Sequence, residues 1–263
     1  MSNNPIGIFD SGVGGLTVAK AIKELLPNEK IIYFGDTLHL PYGEKSSQSI
    51  VRYSKQITDF LLSQNCKAIV IACNSASAHA FDTVRGIAPS DVPIINVIDP
   101  MAEFTRDNFS AKKVGVIGTK ATVRSGVYQN RLAGLNLVAI ETPLLASMVE
   151  EGFINNDISK SVIKEYLNKP VLNGIDALVL GCTHYPILKK DILNFYKGRV
   201  DILDSSQIVA TELQKQLRNL NLLNENSNNE ADKFYVSDYT SFFEKITSIF
   251  FGNEIHLEEL KIT

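Results

Sequence analysis

Two cysteines stand where a thiol could do chemistry. Cys73 closes the apolar run Ile69-Val70-Ile71-Ala72 and is followed by Asn74 and Ser75. Cys182 closes Leu178-Val179-Leu180-Gly181 and is followed by Thr183 and His184. A thiol where a strand ends and a helix begins meets unpaired backbone N–H groups and the positive end of the helix dipole. Both favour thiolate, and such settings draw a cysteine pKa from about 8.5 to between about 3.5 and 7.5. Either cysteine alone reads as a small buried hydrophobe. Two at matching positions, each trailed by small polar residues, read as a reactive pair. His184 could hold Cys182 as thiolate or relay a proton, because histidine titrates near neutral pH. Cys66 precedes its strand without polar company and reads as packing.

Other unusual residues fall at similar strand ends. Asp10-Ser11-Gly12-Val13-Gly14-Gly15 follows the first apolar run, and its glycines let backbone amides approach an anion. A dinucleotide fingerprint competes for this segment, with Asp36 at the end of the next strand. It fails at the third glycine, where Thr17 stands, and Asp10 would face the pyrophosphate with like charge. Pro41-Tyr42-Gly43 is a turn signal at the same sheet edge, which makes Tyr42 and the backbone of Gly43 candidate substrate contacts. His39, His79 and His256 show no evident partners and read as satisfied surface or core residues. Zinc on Cys73, Cys182 and His184 lacks the second pair of ligands a structural site needs, so no metal is expected.

These positions need elements to hold them. Strands are predicted at Ile6–Phe9, Lys30–Phe34, Ala68–Ala72, Ile94–Val97, Lys113–Ile117, Leu135–Ile140, Ala177–Leu180, Val200–Leu203 and Lys233–Val236. Helical spacing lies between them, as in Leu16, Ala19, Ile22, Leu25 and Leu26, stopped by Pro27. Asp99 before Pro100 reads as a helix N-cap followed by proline at the first helical position. Continuous apolar strands alternating with amphipathic helices predict an α/β fold of mainly parallel sheets flanked by helices. Ligands of such sheets bind beyond the carboxyl ends of the strands.

A weak repeat divides the chain. Gly7-Ile8-Phe9-Asp10-Ser11 resembles Gly115-Val116-Ile117-Gly118-Thr119, and the run ending at Cys73 resembles the run ending at Cys182. Similar offsets in the same order predict two similar, duplicated halves. Residues 219–232, rich in Asn and Glu, read as an exposed loop. The strand and helix beyond it have no counterpart in the second half and are expected to return to the first sheet. The expected domains are 1–97 plus 207–263, and 98–206.

Bulk properties narrow the class. The 263 residues are 44% hydrophobic and 21% charged, ordinary for a globular chain with a real core. A net charge of −3 gives no field that would draw nucleic acid or anionic lipid. The polar N-terminus resembles no signal peptide, and no apolar run approaches the roughly 18 residues of a membrane span. That predicts a cytoplasmic protein without membrane partners. Three cysteines, an odd count without a C-x-x-C, do not read as a disulfide framework.

Together the motifs resemble the glutamate racemase family, within the aspartate/glutamate racemase superfamily. The resemblance lies in Asp10–Gly15, Gly35-Asp36-Thr37 with Pro41-Tyr42-Gly43, Ala72–Ser77, Gly181–Pro186 and, more weakly, Phe234–Asp238. Ser75 stands where the family often has threonine, and Leu38-His39 replaces a stretch that is frequently Ala-Arg. The resemblance implies two α/β domains with the active site in the cleft between them, no pyridoxal phosphate or other cofactor, no metal, and commonly a homodimer. It implies that Cys73 exchanges the α-proton on the D-glutamate side and Cys182 on the L-glutamate side, assisted by Asp10 and His184. Glu150 matches a further acidic assistant, with Glu151 leaving the register open by one residue. Ser11, Pro41, Tyr42, Gly43, Asn74, Ser75, Thr183 and His184, with Asp10, Thr119 and Thr122, are the implied substrate contacts. D-glutamate for peptidoglycan is the implied purpose.

That chemistry suits these residues. An α-hydrogen is a very weak acid, so its removal needs a base in place, a donor opposite and stabilisation of the carbanion-like transition state. An isomerase acting on aspartate, an amino-acid-binding module without catalysis and a nucleotide-dependent dehydrogenase are the rival readings.

Overall fold

The computed structural model describes residues 2–226, 231–253 and 255–262. The first half runs β1 (Ile6–Asp10), α1 (Leu16–Leu25), β2 (Ile31–Gly35), α2 (Ser47–Ser63), β3 (Ala68–Ile71), α3 (Asn74–Ile87) and β4 (Ile94–Asn96). The second runs α4 (Asp99–Phe109), β5 (Lys113–Gly118), α5 (Lys120–Arg124), α6 (Val127–Arg131), β6 (Asn136–Glu141), α7 (Leu144–Glu150), α8 (Asp157–Leu167), β7 (Ala177–Gly181), α9 (Lys189–Tyr196) and β8 (Asp201–Leu203). The chain then forms α10 (Ser206–Asn219), β9 (Lys233–Val236), α11 (Ser241–Phe251) and the short β10 (Glu258–Glu259).

The strands form two parallel sheets, ordered β10-β9-β2-β1-β3-β4 and β6-β5-β7-β8. Within them β2-β1-β3-β4 and β6-β5-β7-β8 have the same order, which is the structural form of the sequence repeat. β9 pairs with β2 from Ile32↔Lys233 to Gly35↔Val236, so the C-terminal strand joins the first sheet.

Helices on both faces explain why the strands are continuously apolar. Ile6, Ile8, Ile31, Tyr33, Ala68 and Val70 face one core with α1, whereas Phe9, Ile32, Phe34, Ile69 and Ile71 face another with Ile50, Ile57 and Leu61 of α2. This is the two-residue period of a strand buried on both sides. Each such Phe or Ile contributes about 1.5–3 kcal/mol relative to exposure. α1 buries Leu16, Ala19 and Ile22 and stops at Leu25, before Pro27.

Three local expectations need correction. Ile98, not Asp99, occupies the N-cap of α4, so Pro100 is the second helical residue. The cap is made by Asn96, whose Oδ1 accepts the N–H groups of Ile98 and Asp99, both at 2.8 Å. Asp99 instead pairs with Arg131 at 2.6 Å. The segment 219–232 is not simply an exposed loop. Asn219 belongs to α10, and residues 227–230 lie outside the described residues. Asn224 is buried, its N–H donating to Glu29 Oε1 at 2.8 Å. Cys182 does not cap an α-helix, because a 3-10 turn, Tyr185–Leu188, intervenes before α9.

Candidate active site

The carboxyl-end loops of the two sheets meet face to face. Ser75 Oγ lies 2.9 Å from Thr119 Oγ1 and 3.3 Å from Thr122 Oγ1. Thr183 O–H reaches Asp10 Oδ1 at 3.5 Å, and Thr17 O–H reaches the Thr183 carbonyl at 3.3 Å. Lys120 also pairs with Glu44 at 3.0 Å. Gly14 shows how closely the halves approach: a Cβ there would stand 2.6 Å from the His184 ring and the Thr183 hydroxyl. Only glycine fits.

Between these loops lies a small cavity lined by Ser11, Pro41, Tyr42, Gly43, Cys73, Asn74, Ser75, Thr119, Glu150, Cys182, Thr183 and His184, together with Ala146. It thus gathers nearly every residue singled out in the sequence. Asp10 and Thr122 are the exceptions: both are fully buried and stand behind the lining. The cavity measures only about 20 Å³, so a five-carbon amino acid enters only with a rearrangement of its walls. A larger cleft of about 610 Å³, lined by Arg85, Asn96, Glu103 and Glu212 among others, holds none of these residues.

The two thiols reach the cavity from equivalent places, after β3 and after β7. Cys73 caps α3, its sulfur accepting the Ala76 N–H at 3.4 Å, and its S–H faces Ser11 Oγ at 3.6 Å. Thiolate was expected here, but burial, reinforced by the nearby Asp10 charge, pushes the Cys73 thiol up to about 12. The helix-end N–H pulls the other way and is outweighed.

Cys182 Sγ lies 3.7 Å from His184 Nδ1. The other ring nitrogen, Nε2, lies 2.9 Å from Glu150 Oε1, an ion-pair contact rather than an aligned hydrogen bond. Burial works against a charged imidazole, but Cys182 and Glu150 together raise His184 well above the ordinary histidine range. Both neighbours thus favour the charged form of the ring, against its burial. Glu150 lines the cavity, whereas the neighbouring Glu151 is exposed.

Asp10 supports the other side. Its Oδ2 accepts the N–H groups of Gly12 at 3.1 Å and Gly15 at 3.0 Å. Burial raises its carboxyl above the usual range, while His184 and those amides restrain the rise. Asn74 has a particular geometry: Tyr128 O–H donates to its Oδ1 at 3.0 Å, while its buried Nδ2 has no acceptor among the described residues. Asn74 therefore brings a buried amide donor with unused hydrogen-bonding capacity to the cavity lining.

Several supporting residues carried no usable signal in the sequence. Tyr128 holds Asn74 from a short helix without a motif, and Ala146 is one more apolar position on α7. The three remaining histidines do have partners. His39 meets Asp36 at 2.9 Å, His79 meets the Ala121 carbonyl at 3.0 Å, and exposed His256 meets Glu244 at 3.1 Å. Cys66 packs beneath Gly7, as its apolar surroundings suggested, and burial pushes its thiol up to about 12. Among the described residues no cluster of His, Cys, Asp or Glu is arranged to hold a metal ion, and no helix is long and apolar enough to cross a membrane.

A cleft between two like-ordered parallel sheets, with a thiol from each, defines a class. The chain belongs to the Asp/Glu/hydantoin racemase family, whose model matches residues 6–213. Its relatives are more particular. A glutamate racemase of Aquifex aeolicus is 41% identical over 260 residues, spanning 98% of this chain and 97% of that protein. Among solved structures, the glutamate racemase of Francisella tularensis in complex with D-glutamate superposes with a TM-score of 0.91 at 38% identity, covering 99% of this chain and 98% of that one. A Bacillus anthracis glutamate racemase isoform gives 0.93 at 33% identity, with 99% and 98% covered.

Proposed function

We propose that this chain racemises glutamate without a cofactor, by proton transfer between two thiols across the α-carbon. The observation that carries this reading is that Cys73 and Cys182, from equivalent strand ends, line one cavity. Full-length similarity to glutamate racemases supports the substrate, as does the solved relative holding D-glutamate. Among the described residues lining the cavity none is a lysine, the side chain a pyridoxal aldimine would need.

The electrostatics support a starting state in which Cys73 carries the proton. Cys73 is a thiol, held so by burial and by Asp10. Cys182 stands 3.7 Å from His184, an imidazole whose charged form is favoured by Cys182 and Glu150. In the L-to-D direction Cys182 removes the α-proton. The electron pair passes towards the α-carboxylate, and Cys73 delivers its proton to the opposite face. The roles reverse for D-glutamate. Asn74 Nδ2 and the hydroxyls of Ser11, Ser75 and Thr183 are the donors that hold the carboxylates, and they stabilise the charge that develops in the transition state. Closure around the substrate excludes water, which strengthens these interactions and protects the carbanion-like species.

A homodimer in the cytoplasm, supplying D-glutamate to peptidoglycan, completes the proposal and rests on the family resemblance. The test is polarimetry of the purified chain with L- or D-glutamate and, separately, aspartate, with no cofactor added. Glutamate should racemise in both directions. Racemisation of aspartate alone would contradict the substrate assignment, and binding without racemisation would favour a binding module.

A further inference from the structure

Asp36 takes no part in the proton transfer, yet it stands directly behind the cavity wall. It is 3% exposed, and its carboxylate accepts Tyr42 O–H at 2.6 Å and Ser237 O–H at 2.8 Å. His39 Nδ1 lies 2.9 and 3.0 Å from the same two oxygens, and the His39 ring stacks on Tyr53 with centroids 3.9 Å apart. Leu38 N–H donates to Ser237 Oγ at 2.9 Å, and Thr37 and Asp238 exchange two further bonds at 2.6 and 3.0 Å. Residues 36–43 are thereby strapped to the segment after β9. That segment lies beyond residues 6–213, which the family model matches.

The strap ends at the cavity. Tyr42 and Gly43 line it, and Gly43 lies so near Thr119 that a Cβ would come within 2.6 Å of that side chain. The Tyr42 phenol donates to Asp36, so the donors this turn can offer a ligand are those of its backbone. Asp36 also leaves no free carboxylate for a ribose, which disposes of the dinucleotide reading of this position.

We propose that Asp36 is a positioning residue for amino-acid binding: by gripping Tyr42 from behind and tying it to Ser237, it fixes the Tyr42–Gly43 wall against which the substrate is held. A buried phenol deprived of its acceptor is costly, so the turn relaxes when the carboxylate is removed. The thiols are carried by other elements, after β3 and β7, and keep their chemistry once substrate is bound. The effect therefore falls on binding. This inference rests on the racemase reading of the cavity.

The test compares full-length Asp36→Asn, Tyr42→Phe, their double variant and Ser237→Ala. Asparagine keeps the shape of Asp36 but turns one acceptor oxygen into a donor, so it cannot accept from Tyr42 and Ser237 on separate oxygens as the carboxylate does. Asp36→Asn should raise KM for glutamate about tenfold or more while kcat stays within about threefold. The double variant should be no worse than the poorer single one. Amide hydrogen exchange should quicken over residues 37–45 and 237–239 and stay unchanged in β1 and β5. Ser237→Ala should act in the same direction more weakly, and it decides the matter if Asp36→Asn does not fold. Unchanged KM and loop exchange, additive losses in the double variant, or a loss confined to kcat would overturn the proposal. Exchange needs no turnover: a wild-type chain unable to racemise glutamate sinks the functional reading, whereas the exchange contrast still judges the grip of Asp36.

Discussion

Glu150 Oε1 lies 2.9 Å from His184 Nε2, while the next residue, Glu151, faces solvent. The carboxylate helps keep the imidazole charged beside Cys182, so Glu150→Gln should lower kcat about tenfold or more, in line with general acid–base assistance. Because His184 is raised in the fold, the stability it contributes is complete below the ordinary histidine range and is lost as pH rises through the raised value. In Glu150→Gln the alkaline limbs of activity and stability should both move to lower pH. Glu151→Gln should leave the pH–rate profile where it was, and a shift there equal to that of Glu150→Gln would contradict the pairing.

Each thiol is expected to be indispensable. Cys73→Ser and Cys182→Ser should each cut racemisation by about 10³-fold or more, because a hydroxyl is a far weaker acid than a thiol. Circular dichroism should show both variants folded. Substantial turnover in either one would rule out the two-thiol scheme.

Gly14→Ala tests how closely the halves must meet. Its Cβ would collide at 2.6 Å with the His184 ring and the Thr183 hydroxyl. A loss of about 1–3 kcal/mol in denaturant unfolding is expected from such overpacking, with about a tenfold or larger fall in kcat as His184 is displaced. Unaltered kcat would mean that the cleft tolerates looser packing than its geometry implies.

Tyr128→Phe removes the donor that fixes the Asn74 amide. With about 1 kcal/mol of hydrogen bonding gone, KM for glutamate should rise about three- to tenfold. Steady-state kinetics decide this, and an unchanged KM would remove Asn74 from the substrate contacts.

Most of the framework was legible because parallel strands buried on both faces are written as short continuous apolar runs. All nine expected strands form, with ends shifted by a residue or so; among the described residues only the two-residue β10 went unseen. The thiols were legible by position. Their electrostatics were not: depth of burial, which lifts Cys73, leaves no mark in a linear sequence. Nor could spacing choose between Glu150 and Glu151, since that depends on how α7 is rotated against His184. Long-range support was invisible too. Ser237 lies 201 residues from Asp36, and only the pairing of β9 with β2 brings them together.

The central claim is that one thiol removes the α-proton while the other delivers a different one. The most direct measurement is racemisation of L-glutamate in deuterated water without added cofactor, with both enantiomers separated early in the reaction. D-glutamate should carry deuterium at the α-carbon while the remaining L-glutamate stays protiated. Product that keeps the substrate's own α-hydrogen would contradict the two-thiol account.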